Sequence, residues 1–167
     1  DRRALTALRA SVPNQKADLQ ERIQAIRSLA GIKDSALPEL LFSVLGEPPL
    51  REAAIRALAA VPSAKTPIEL LSRYSTFSKA EQSEVIQTLT SRTDFAMSLL
   101  EHLELGKIAK SDINAYSARQ VLALNNQRVT EKLKKVWGTI QTTDAAKQSQ
   151  MAELKKLLTP EKLKSAS

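Results

Sequence analysis

The apolar positions of this chain return in a recurring phrase. "IQAIRSLAGI" at 23–32 and "EAAIRALAAV" at 52–61 share Ala-Ile-Arg-x-Leu-Ala at an offset of 29 residues, and "SEVIQTLTSR" at 83–92 repeats the pattern more loosely. Apolar side chains three and four residues apart lie on one face of a helix. Ile26 and Leu29 therefore correspond to Ile55 and Leu58, and then to Ile86 and Leu89. A shorter phrase follows each of these: "PELLFSV" at 38–44, "PIELLSR" at 67–73 and "MSLLEHL" at 97–103. The spacing predicts helices near 2–12, 17–31, 36–45, 49–61, 67–76, 79–91, 94–105, 111–125, 127–137 and 143–158, then a short last one. No stretch alternates with period two, so no strand is expected.

Paired in order, these helices form a unit that recurs about every 30 residues, with a fourth, stretched copy at 111–137. One hairpin covers only part of its apolar face, and stacking neighbours cover the rest, so the same phrase has to return in every unit. The expected fold is all-α: an α-solenoid of HEAT-like helical hairpins wound as a right-handed superhelix. The chain is read as one domain, 1–167, with repeats over about 17–138 and a C-terminal helical extension over 139–167. An irregular bundle with coincidental internal similarity is the competing architecture.

Helix punctuation supports the boundaries. "TPIE" at 66–69 offers Thr66 as N-cap with Glu69 completing a capping box, "SKAE" at 78–81 repeats it with Ser78 and Glu81, and "TPEK" at 159–162 starts the last helix. Gly31, Gly46, Gly106 and Gly138 fall where apolar periodicity stops, the place of left-handed C-terminal caps.

Composition agrees with a helical chain: 43% hydrophobic residues, but only 4 Gly and 7 Pro in 167 residues. With no cysteine, disulfides, thiolate metal sites, covalent haem attachment and cysteine nucleophiles are excluded within this stretch. No apolar run approaches the ~18 residues of a membrane span. "DRRALTALRA" is charged and amphipathic, unlike a signal peptide. It opens as though mid-helix and without Met, so the chain is expected to be a monomeric fragment of a longer protein.

Charge is concentrated at one end. Residues 128–167 hold 9 Lys and Arg against 4 Asp and Glu, which is +5 of the net +7. Lys132, Lys134, Lys135, Lys155 and Lys156 outline a possible docking surface. A curved helical surface gripping phosphates would also suit this charge, so a nucleic-acid-binding helical-repeat module is the alternative function. The basic end is nearly all Lys, and no aromatic stacking platform accompanies it.

Candidate chemistry is sparse. His102, the one histidine, stands between Glu101 and Glu104 on a helix, and a zinc site needs three or four converging ligands. There is no Gly-x-Ser-x-Gly elbow and no Gly-rich phosphate loop. No catalytic, metal-ligating or cofactor-binding residue is assigned. Arg27 and Arg56 occupy equivalent places beside the core leucines. Gln87 breaks that ladder, so it reads as a stacked polar position paired with a carboxylate such as Glu52.

Near the C-terminus, "ARQVLALNNQRVTEKLKKVWG" followed by a lysine-rich helix and "LLTPE" resembles one particular family, and "LLSRYS", "LTSR" and "GKIAKSDI" are similar to that family's repeats. It is the helical-repeat region of the large membrane-associated or exported haem-binding proteins of Planctomycetes and Verrucomicrobia. The resemblance implies a β-propeller similar to sugar dehydrogenases before this region and a c-type cytochrome domain after it. The family's Cys-x-x-Cys-His motif would lie beyond residue 167, so no haem ligand carries over. Trp137 and Gly138 match the family phrase and read as a core anchor and the end of its helix. The implied role is a non-catalytic scaffold between flanking domains of an exported, periplasmic or membrane-associated protein. Its partners would be neighbouring domains of the same chain or another protein, with no small-molecule substrate and no cofactor in this segment.

Overall fold

A computed structural model describes residues 2–138 of the chain. Among the described residues there are nine α-helices and no strand: α1 Arg2–Ser11, α2 Leu19–Gly31, α3 Leu37–Val44, α4 Pro48–Ala57, α5 Lys65–Ser72, α6 Lys79–Leu89, α7 Thr93–Glu104, α8 Ala115–Ala123 and α9 Gln127–Val136. Two 3₁₀ turns stand at expected helix ends: Tyr74–Thr76 closes the stretch expected at 67–76, and Lys110–Asp112 overlaps the start of the one expected at 111–125. The chain is all-α. The helices expected at 143–158 and after Thr159, with Lys155 and Lys156, lie outside the described residues.

The recurring phrase is buried in every copy. Ile26, Leu29, Ile55, Leu58, Ile86 and Leu89 are each at most 2% exposed. Ala25, Ala54 and Val85, one residue before each isoleucine, are buried with them, and Ser117, Ala118 and Val121 continue the register into α8. Each fully buried Leu or Ile contributes about 1.5–3 kcal/mol of transfer free energy. Helix α4 packs on both α2 and α6, while α7 packs on both α5 and α9. The buried side chains form one cluster running from Val12 to Leu133.

Caps divide into those found and those displaced. Ser78 starts α6 with a complete capping box: its hydroxyl accepts from the Glu81 N–H at 3.3 Å, and the Glu81 carboxylate accepts from the Ser78 N–H at 2.7 Å. Thr66 does not cap α5. That helix starts at Lys65, because Ser63 closes the turn by accepting from the Lys65 N–H (3.3 Å) and the Thr66 N–H (3.0 Å). Thr66 is drawn fully inside.

Of the four glycines only Gly106 and Gly138 adopt positive φ, at 69° and 118°. Gly31 is the last residue of α2, and the left-handed position falls instead on Lys33, at φ 52°. There the Lys33 N–H donates to Ala30 O and the Asp34 N–H to Leu29 O, at 3.1 and 3.0 Å, which satisfies two terminal carbonyls of α2. Asp34 is held in place by a two-pronged bond from Arg9, so the tertiary tie outweighs the local preference for glycine. Gly46 is not left-handed either. Among the described residues no helix is long and apolar enough to cross a membrane.

Candidate interaction surface

The residue one turn before each core isoleucine performs one task in three successive units. The Arg22 Nε–H donates to Val12 O at 2.9 Å, the Arg51 Nε–H to Leu45 O at 2.9 Å, and the Gln82 Nε2–H to Tyr74 O at 3.0 Å. Each thereby ties a helix to the carbonyl that ends the segment before it. The two arginines also reach forward: Arg22 grips Glu47 at 2.7 and 2.9 Å, and Arg51 meets Glu81 at 3.2 Å. The Arg22 guanidinium holds the Glu47 carboxyl below its ordinary range, against the opposing push of burial. Burial likewise pushes Glu81 up, but the bonds from Ser78 and Arg51 outweigh it and leave it lowered. These ties join unit to unit. The −4 register is visible in the sequence, but which carbonyl and carboxylate each of these side chains meets is set by packing between units and not by its neighbours in the chain.

Those +1 arginines differ from one another. Arg56 donates to Glu84 of α6 at 3.1 and 2.9 Å and to Glu52 at 2.8 Å, so the expected carboxylate pairing is present. Arg27 meets no carboxylate among the described residues. Beside it a groove of about 220 Å³ lies between α2 and α4, lined by Ala30, Ala53, Ala57 and Ala60 with Arg27 and Arg56.

The basic end is less basic in space than in sequence. Lys132 and Lys135, one turn apart on α9, both pair with Glu104 of α7, Lys135 at 2.8 Å. Lys134 is exposed. Their shared groove of about 380 Å³ also takes in Glu101, Arg128 and Glu131, so both signs line it. The two lysines hold the Glu104 carboxyl down from its ordinary 4.5 to about 2. A carboxyl lowered on folding adds stability above its unfolded pKa and loses it as pH falls through the folded one. The stability gap between wild type and Glu104→Gln is therefore expected to persist above pH 4.5 and to close as pH falls towards about 2. Denaturant titrations of both proteins at stepped pH, followed by Trp137 fluorescence, measure it. A gap that grows on acidification would contradict the pairing.

Trp137 follows α9 and packs against the core, half-buried, with its indole N–H donating to Ile113 O at 2.7 Å. It anchors α9 to the segment before α8. His102 stands half-buried on α7 with Nδ1 3.0 Å from Ser98 O. Among the described residues no group of three His, Cys, Asp or Glu side chains could hold a metal. Tyr74 donates its hydroxyl to Asp112 at 3.1 Å, and burial together with that carboxylate pushes the phenol well above its ordinary value. The tie fastens the end of α5 to the turn before α8. Among the described residues most ion pairs thus join separate helices or turns. No family model matches the chain, nor does any curated protein or solved structure.

Proposed function

We propose that the chain is a non-catalytic helical-repeat scaffold, an α-solenoid of HEAT-like hairpins that holds neighbouring domains or partner proteins in fixed relation. The observation that carries this reading is the recurrence of one joint. The same register positions are buried in successive units, and the −4 side chain ties each unit to the carbonyl ending the one before. A chain that spends its buried polar groups on repeating joints is built for stiffness, and stacked hairpins offer long surfaces to partners. The family resemblance supplies a context: a module between a dehydrogenase-like propeller and a c-type cytochrome domain of an exported protein. Reading the open reading frame past residue 167 for Cys-x-x-Cys-His tests that context alone.

The scaffold reading is tested by adding the domains encoded beside this one in trans. Tethering raises effective concentration to about the millimolar range, so weak docking suffices. Salt-sensitive association is expected in calorimetric titration at low ionic strength, weakened by charge reversal at Lys134, Lys135, Lys155 and Lys156. No association at about 1 mM would sink it. For the nucleic-acid alternative, the pairing of Lys132 and Lys135 with Glu104 leaves fewer cations for phosphates. DNA binding by fluorescence anisotropy is expected to be no tighter than about 10⁻⁴ M at physiological salt. Micromolar binding with a steep salt slope would make the alternative the better reading.

A further inference from the structure

The α2–α4 groove and the α4–α6 junction are the same place in successive units, and two side chains distinguish them. In the second, Arg56, one residue after the core Ile55, crosses to Glu84, two residues before the core Ile86. In the first, Arg27 stands one residue after Ile26, and the position two before Ile55 is Ala53. The carboxylate that register would supply is missing. A further small residue, Ala57, stands where the next unit has Thr88, which fills its own junction by donating to Ile55 O at 2.9 Å. The result is an open, alanine-floored groove of about 220 Å³ beside a guanidinium that has no carboxylate partner among the described residues.

We propose that this groove binds an acidic segment of a partner protein, which places a carboxylate on Arg27 as Glu84 is placed on Arg56, and sets an adjoining apolar side chain on Ala30, Ala53, Ala57 and Ala60. The occupant's chemistry follows from the site. A guanidinium takes a planar carboxylate in two-pronged fashion, as Arg56 does with Glu84 at 3.1 and 2.9 Å. The methyl-lined floor favours an apolar neighbour over a second charge. A phosphate backbone fits less well. It needs a row of unpaired cations, and Arg56, the other cation at the groove, is already held by Glu52 and Glu84. The proposal rests on the scaffold reading and gives it a partner chemistry.

Ala53→Glu is the decisive substitution, because it supplies in cis the carboxylate that the register lacks and should seat it on Arg27. A random-peptide display library selected on the immobilised chain serves as the probe. Expected are enriched peptides carrying Asp or Glu next to an apolar residue. Their affinity should drop by about tenfold or more in both Ala53→Glu and Arg27→Glu, the loss of one charge-assisted contact. Arg119→Glu, a charge change on α8, should leave it unchanged. Thermal melts establish that the variants stay folded, and Arg27→Gln gives a milder second version if Arg27→Glu does not. Peptides that bind both groove variants as well as wild type would overturn the groove while leaving the scaffold reading standing. Failure to enrich acidic peptides would overturn it too, whereas the scaffold reading falls only with the in-trans titration of neighbouring domains.

Discussion

Leu58→Ala is expected to destabilise the chain by about 2–5 kcal/mol, the range for removing a buried leucine and leaving a cavity. Leu58 has no exposed surface, and it sits at the end of α4, the helix that packs on both α2 and α6. A void at that point cannot close by the shift of one neighbour, because moving α4 towards one partner opens it from the other. The value should therefore fall in the upper half of the range. Ile68→Ala, at a side chain 67% exposed on α5, is the matched control and should change stability by less than about 0.5 kcal/mol. Urea unfolding followed by helical circular dichroism measures both. Trp137 fluorescence, at the far end of the described chain, should report the same midpoint, since helices that share one core in a small domain unfold together. A loss below ~1 kcal/mol at Leu58 would mean that the repeat register is wrong.

The sequence carried the buried face almost completely, because burial is enforced by periodicity and periodicity can be counted. Ile26, Ile55 and Ile86 with their leucines lie in the core as their spacing predicts, and all nine helices expected before residue 138 exist. Ends were harder to read. A cap is a local preference of about 1 kcal/mol, and tertiary ties of similar size override it. Arg9 on Asp34 moves the left-handed residue from Gly31 to Lys33, and the burial of Thr66 hands the start of α5 to the turn closed by Ser63. The polar joints were least legible. Arg22 and Glu47 are 25 residues apart, and nothing in either neighbourhood says that they meet. The candidate docking surface was legible as charge but not as geometry: Lys132 and Lys135 look alike in the sequence with Lys134, yet only those two fall on the side of α9 that meets Glu104.

Glu47→Ala is expected to be the most damaging change at a polar position, costing roughly 2–4 kcal/mol, because it strands a charge already out of water. The Arg22 side chain is 6% exposed and Glu47 27% exposed, joined by bonds of 2.7 and 2.9 Å. Without the carboxylate, the guanidinium keeps, among the described residues, only its bond to Val12 O, and its inner position denies it the water that would compensate. Removing the other partner is milder. In Arg22→Met the stranded group is Glu47, whose greater exposure lets it hydrate, and the methionine stem retains packing. The order of damage should therefore be Glu47→Ala, then Arg22→Met, with the double variant closer to wild type than the sum of the two, as for a directly coupled pair. The sign with pH follows from the lowered Glu47 carboxyl. The gap between wild type and Glu47→Ala should be full above the ordinary 4.5 and shrink as acid protonates the native carboxylate. Denaturant titrations of the four proteins at pH 7 and at stepped acid pH measure the cycle. If Arg22→Met proved costlier than Glu47→Ala, the joint would owe its strength to the arginine's packing and its bond to Val12 rather than to charge compensation. The Arg51–Glu81 joint, whose contact is longer at 3.2 Å, should then respond the same way on a smaller scale.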